Sequence, residues 1–422
     1  MNRRTAIKSG GAALIGLGLA GCRSMGGASA RAGRPAIRLA LPPVLASWDR
    51  IIRTTVGLRP HRPAGFNVSV AKLDDKTVVH NYGHGGAGHS LGWGTGLLAA
   101  ELALEQPERR AAVIGCGTVG LTAARQLQRR GFDVTIYAKA VPPDTTSNMA
   151  LAAFTPTSGL ISTEVSPGWE VQFRRAIDVS YRQLQLFAGR DYGVSWIDGF
   201  NTTDSPSAAG RDTNPNAGGA GQNFRGSDMS AFIPSGIEEN IGRVVLEPGE
   251  HPFPSRYAIW HRRMRIEPSI YLDALVRDFL MFGGRLVIRA FDTPRDLMTL
   301  DERLIVNCTG LGARTLFGDD TMVPVKGQLT VLIPQPEVTY SCRAMPRRDG
   351  IALGTTQERG VDTLEPNLEA QQRIVDNCIK FYSAMRPLDF ARGRPMTRAT
   401  QMTRLDLPRD IPPVESFFGE ES

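Results

Sequence analysis

Gly115, Gly117 and Gly120 in "VIGCGTVG" have the spacing of a loop that cradles the phosphates of a dinucleotide. The first allows a tight turn, the second lets backbone approach a pyrophosphate, and the third lets the next helix close on the strand before it. Thr118 and Val119 lie where that helix opens and where its N-terminus meets phosphate charge. The strand and helix that the motif needs flank it, as "AAVI" and "LTAARQL". The second strand ends in "IYAKA", with Lys139 and no acid for the ribose hydroxyls. Lys139 alone suits the extra phosphate of NADP, so the loop by itself leaves FAD and a nicotinamide cofactor both open.

A second glycine-dense run, "HNYGHGGAGHSLGWGTG" at 80–96, stands ahead of the nucleotide strand. His84 and His89 within it have no accompanying acid or cysteine, so hydrogen bonding in a loop suits them better than metal ligation. The elements that must hold these loops follow from periodicity and breakers. Strands are expected near 51–56 and 68–79. A helix is expected over 95–106, where Leu97, Leu98, Leu102 and Leu104 have helical spacing. Residues 111–140 read as strand, glycine turn, helix and strand, with Gly131 stopping the helix. Further helices are expected at 268–282 and 367–385, and strands at 285–288 and 304–308. Residues 202–228 are dense in turn formers and read as a surface loop.

Composition limits the partners. A net charge of +7 over 422 residues comes with scattered arginines, which does not make a nucleic-acid face. Cys116, Cys308, Cys342 and Cys378 show neither metal-ligand spacing nor a pairing pattern. At the N-terminus Arg3, Arg4 and Lys8 precede an apolar run at 10–20 that is too short to span a bilayer. The paired arginines resemble a twin-arginine export signal, and "LAGC" at 19–22 resembles a lipoprotein cleavage box. An exported protein of the periplasm or cell envelope is expected, touching membrane only through a lipid on Cys22. Oligomeric state is not legible.

Several stretches together resemble the D-amino-acid oxidase and D-aspartate oxidase family of FAD-dependent oxidoreductases. "VGLRPHRP" at 56–63 is similar to its substrate-carboxylate segment, and "HNYGHGGAGHSLGWG" to its flavin-contacting loop. "VIGCGTVGL" and "DTTSNMALAAFTP" at 144–156 are similar to its first nucleotide loop and flavin-lining segment. "VNCTGLGA" at 306–313 and "VKGQL" at 325–329 are similar to its later domain-crossing segments. The order differs: the first two stretches come last in the family, so the chain reads as circularly permuted. The resemblance implies an α/β fold, with a doubly wound Rossmann-type FAD domain and a mixed-sheet α+β substrate domain. The expected division is signal 1–22, tether 23–40, substrate-domain segment 41–79 and FAD core 80–160. It continues as substrate domain 161–285, FAD-domain return 286–330 and substrate domain 331–422.

The resemblance also assigns roles. Arg59 would bind the substrate carboxylate with its planar fork, and Gly86 would lie beside the substrate amino group. Gly85, Gly88, His89 and Ser90 would lie against the flavin. Thr145, Thr146 and Ser147 would lie near the FAD phosphates and ribose, and Leu151, Ala152 and Ala153 would line the ring. The implied reaction is oxidative deamination of a D-amino acid to the 2-keto acid, ammonia and hydrogen peroxide, with oxygen or another electron acceptor. In the segment before "GIALGTTQ" the family's substrate-facing tyrosines are replaced by Arg343 and an offset Tyr340. Two consequences are open: a pocket that pairs an acidic side chain with Arg343, or a cell-envelope flavoprotein without activity. D-aspartate or another amine is the alternative substrate.

Overall fold

The structure is a computed structural model that describes residues 41–151, 153–157, 165–205, 236–237 and 241–386. The signal, the tether, Cys22, Ala152 and most of the 202–228 loop fall outside these residues. Contacts divide the chain into Met1–Ile37 and Arg38–Ser422, and every described residue belongs to the second unit.

The nucleotide half is a six-stranded sheet in the order β2-β3-β10-β4-β5-β9. Its strands are β2 (Asn67–Leu73), β3 (Lys76–Tyr82), β4 (Arg110–Ile114), β5 (Asp133–Ala138), β9 (Arg285–Ile288) and β10 (Leu304–Asn307). All pairs are parallel except the β2–β3 hairpin at one edge. The single strand expected at 68–79 is therefore two, with Asp74 at φ +50 making the reversal between them. This hairpin joins the nucleotide sheet, away from the strand at 51–61. β3, β10 and β4 are buried almost throughout, as parallel strands covered on both faces must be.

Helices α1 (Gly88–Leu104), α2 (Thr118–Gln128), α3 (Pro167–Phe187) and α4 (Pro268–Met281) share one core with this sheet. On its other face Leu297 of the short α5 (Pro294–Met298) packs with Val78, Ala112 and Ile305.

α1 begins well before the expected helix. Gly92, Gly94 and Gly96 lie inside it, where they let other chain segments approach. A Cβ on Gly94 would sit 2.2 Å from the Ala176 carbonyl oxygen of α3. One on Gly96 would sit 3.0 Å from Ala123 of α2. Glycines that disfavour a helix in isolation here make its packing face, and the burial against two neighbours outweighs about 1 kcal/mol of propensity per residue.

The second half carries two sheets. One has the order β1-β11-β14-β13, with β15 (Glu358–Arg359) also on β11, and is antiparallel throughout. Its other strands are β1 (Ile51–His61), β11 (Val323–Leu332), β13 (Ala344–Arg347) and β14 (Gly350–Leu353). The other sheet has the order β12-β6-β8-β7. It contains β6 (Val194–Thr203), β7 (Val244–Leu246), β8 (Tyr257–Ile266) and β12 (Tyr340–Ser341).

The β1–β11 sheet has two distinct faces. Val331, Met345 and Ala352 pack on Leu151 and Ala153, facing the nucleotide half. Leu332, Ala344, Ile351 and Leu353 pack on the opposite side with α7 (Leu368–Ser383). These are the inner and outer faces. Between β10 and β11 runs α6 (Ala313–Phe317).

Candidate active site

The nucleotide loop is shaped by contacts that only glycine permits. Gly115 takes φ +112, and a Cβ there would meet the Cys308 carbonyl oxygen at 2.6 Å. A Cβ on Gly120 would lie 2.0 Å from the Gly115 carbonyl oxygen. On Gly117 it would lie 2.9 Å from Ser147 Oγ. α2 then starts with Thr118 N donating to Ser147 Oγ at 3.0 Å, and Leu121 N donating to Gly117 O at 3.0 Å. The N–H groups of Val119 and Gly120 have no acceptor among the described residues. Two open donors at a helix N-terminus, with the bare Gly117 beside them, fit the pyrophosphate of a dinucleotide.

His89 locks this corner. Ser147 O can only accept, so His89 Nε2 donates to it, at 2.9 Å. Nδ1 is then the acceptor for the Thr118 hydroxyl, at 2.9 Å. Burial pushes the His89 pKa down to about 4, so the ring is neutral. Both ring nitrogens are engaged by protein, so His89 ties α1 to α2 and contributes no open group to a ligand. His84 is likewise buried, bonded to Thr95 Oγ1 at 2.9 Å, with its pKa lowered to about 3.

The segment after β5 is held from both halves. Thr145 is buried and its Oγ1 bonds Asn148 Oδ1 at 2.8 Å, while Thr146 is exposed. Ser90 Oγ donates to Ala153 O at 3.3 Å and accepts from Thr155 N at 2.8 Å. Ser90 thus fastens α1 to the segment. Ala153 bridges Arg265 of β8, and Arg347 Nη1 of β13 donates to Ala150 O at 3.0 Å. Gly85 (φ +60) and Gly86 (φ +96) form the turn before α1, with Gly86 exposed. A Cβ on Gly88 would make only an ordinary 3.4 Å contact with Val119, so packing within the chain does not require glycine there.

Arg59 lies where the two halves meet. It extends from β1 on the inner face, between Gly86 of the nucleotide half and Gly327 of β11. A Cβ on Gly86 would lie 2.6 Å from Arg59 Cδ, and one on Gly327 would lie 2.6 Å from Cζ. Its Nη1 donates to Thr356 O at 3.1 Å and its Nη2 to Thr355 Oγ1 at 2.8 Å. Among the described residues no carboxylate lies within ion-pair distance of it. Burial without an anion pushes the guanidinium down to about 10, which still leaves it charged at neutral pH.

The family described as FAD dependent oxidoreductase (DAO) matches residues 110–408, well over half of the chain. The chain belongs to this family. FAD is the cofactor of these enzymes, and the glycine cradle with its open N–H groups is where this FAD-dependent oxidoreductase can hold the phosphates. It is 28% identical over 294 residues to a D-amino-acid oxidase of Streptomyces coelicolor, covering 65% of this chain and 77% of the relative. With a human D-aspartate oxidase it shares 25% over 281 residues, 64% of this chain and 74% of that one. A D-amino-acid oxidase of Rubrobacter xylanophilus shares 26% over 336 residues, 73% and 89% of the two chains. The solved glycine oxidase of Bacillus cereus superposes with a TM-score of 0.45 at 13% identity, covering 66% of this chain and 79% of that one.

Two residues expected at the substrate are elsewhere in this oxidoreductase. Tyr340 is a core residue: its ring packs on Phe200 and Phe253, and its hydroxyl donates to Pro42 O at 2.8 Å. Arg343 takes φ +55, which breaks strand alternation, and its guanidinium lies 4.2 Å from the Phe381 ring centroid on the α7 side. Both belong to the outer face, so neither meets Arg59, and Arg343 does not stand where it could pair with an acidic substrate held there. Conversely, Gly327, Thr355 and Thr356 surround Arg59 without having been expected there. Gly327 lies inside "VKGQL" and the two threonines inside "GIALGTTQ", stretches whose patterns do not by themselves point to a substrate arginine.

Proposed function

We propose that this FAD-dependent oxidoreductase oxidatively deaminates a D-amino acid. Amino acid, water and oxygen would give the 2-keto acid, ammonia and hydrogen peroxide. FAD, when bound, supplies the two-electron acceptor for this chemistry. One observation carries the reading: Arg59, a cation with no acidic partner among the described residues, stands beside the exposed Gly86 at the junction of the halves. An unpaired cation that is half-buried is costly, and a substrate carboxylate offsets that cost with charge-assisted hydrogen bonds. Arg59 binds and orients the amino acid, and Gly86 leaves room next to it for the amino group. Such a reaction depends on orientation more than on a side-chain base. The relatives named D-amino-acid oxidase support the same substrate class.

The chain order is part of the proposal. The family match starts at Arg110, the first residue of β4, yet β1 pairs with β11 and β3 with β10. A circular permutation would account for this, with the family's last strands placed ahead of its first. Residues 1–22 would direct export and leave Cys22 as a lipid-bearing N-terminus, which mass spectrometry of the mature protein would test.

The deciding experiment is anaerobic addition of a panel of D- and L-amino acids to the purified yellow protein. Loss of the visible flavin band with one class of D-amino acids is the expected result. A band that persists with every D-amino acid would overturn the proposal.

A further inference from the structure

The surroundings of Arg59 determine more than its position. Thr355 Oγ1 donates to Thr356 O at 3.1 Å, so the two oxygens that Arg59 bonds stand next to each other. Two adjacent acceptors, one on Nη1 and one on Nη2, match the end edge of a guanidinium. That edge is therefore filled by the protein. Thr356 is itself buried and pinned to β11: its N donates to Gln328 O at 3.3 Å and its Oγ1 accepts from Gln328 N at 3.0 Å. A Cβ on Gly327 would lie 2.6 Å from Cζ, Nη1 and Nη2 alike, so the guanidinium plane rests flat on Gly327. One face is closed as well.

Of the three N–H groups left, Nε–H and the second N–H of Nη2 form the one remaining two-point edge. Nε has no acceptor among the described residues. It borders Gly86, where a Cβ would lie 3.1 Å from it. We propose that Gly327, Thr355 and Thr356 are positioning residues that present only the Nε–Nη2 edge of Arg59, alongside Gly86, as the subsite for the substrate carboxylate. This rests on the reading of Arg59 given above. It adds that the carboxylate is held side-on, and that its amino group is thereby directed along the Gly86 backbone. Thr355 is the adjustable member, since its hydroxyl is the only side-chain oxygen in the clamp. Neutral oxygens orient the fork without neutralising it, so its charge stays available to the ligand.

The test uses the full-length flavin-loaded enzyme, with propionate as a carboxylate probe and D-alanine as a substrate probe. Propionate affinity is read from the shift of the visible flavin band, and D-alanine gives KM and kcat. Thr355→Val keeps the shape and removes the acceptor; propionate Kd and D-alanine KM should both rise about tenfold, with kcat much less affected. Thr355→Ser should recover most of the affinity, which a merely structural role would not predict. Gly327→Ala, pushing the fork off its seat, should weaken propionate at least as much, and carries the test alone if Thr355→Val fails to hold flavin.

Arg59→Ala separates the two readings. If it leaves propionate Kd unchanged, the assignment of Arg59 itself fails. If it abolishes binding while Thr355→Val and Gly327→Ala bind propionate like the wild type, only the side-edge inference is overturned.

Discussion

The inner and outer faces of the β1–β11 sheet each present an arginine near neutral groups, and they treat it in opposite ways. Arg59 on the inner face rests on a glycine, with hydroxyl and carbonyl oxygens at one edge and, among the described residues, no ring above or below it. Arg343 on the outer side lies over Phe381, among Cys342, Cys378 and Tyr382. A cation over an aromatic face is held by the ring quadrupole, even though Arg343 Nε has no hydrogen-bond partner among the described residues. A cation seated on glycine is left with charge to give. Residue type alone does not separate a binding arginine from a packing one; what lies against the guanidinium does.

The largest effect should come from Arg59→Ala. Loss of a two-point carboxylate contact is expected to lower kcat/KM by roughly 10³-fold, about 4 kcal/mol, while the flavin stays bound. Comparable damage from Arg343→Ala would dissolve the contrast between the faces. Phe381→Ala should have the reverse profile. It empties a buried site in the outer core and should cost about 3 kcal/mol of unfolding free energy in denaturant titrations. Turnover per folded molecule should stay near wild type.

Acid should also act on the corner that serves the inner face. The folded-state pKa of His89 is lowered to about 4, against about 6.5 in an unfolded chain. Above pH 6.5 neither state binds the proton. As pH falls below that, the unfolded chain takes it first, so stability declines down to about pH 4. The full span is on the order of 3 kcal/mol from this group. A melting temperature that drops between pH 7 and pH 5, accompanied by release of flavin, is the expected result; one flat over that range contradicts the buried, neutral His89. The smallest effects belong to Tyr340→Phe and Arg343→Ala, each about 1 kcal/mol in stability with turnover unchanged. A large rise in KM in either variant would return the outer face to the active site.

The legible parts of the sequence were those where a local rule and the tertiary fold agree. Gly115, Gly117 and Gly120 sit between a strand and a helix that both show their own periodicity. The helix expected at 268–282 is observed as Pro268–Met281, with proline at its start. Asn367, at the edge of another expected helix, caps α7 by accepting from Ala370 N at 3.0 Å. Where packing overrides propensity, local rules mislead. Gly92, Gly94 and Gly96 look like a loop until α2 and α3 are set against them.

The site divides along the same line. Arg59 is legible only through the resemblance of "VGLRPHRP" to a family segment, whereas Thr355 and Gly327, 296 and 268 residues away, are brought to it by the fold. Tyr340 and Arg343 depart from their expected place because the left-handed backbone at Arg343 leaves no mark in the residue types of the segment.

The pairing of β3 with β10 also sets a schedule for synthesis. His80 and its hydrogen-bond partner Asn307 are 227 residues apart. At roughly 5–20 residues per second, β3 would leave the ribosome about 11–45 s before the strand that must cover its edge. In the interval β3 waits with one edge unpaired, a template for wrong pairing. The β3 edge therefore stays open until the last third of the chain arrives, and slower translation lengthens that exposure.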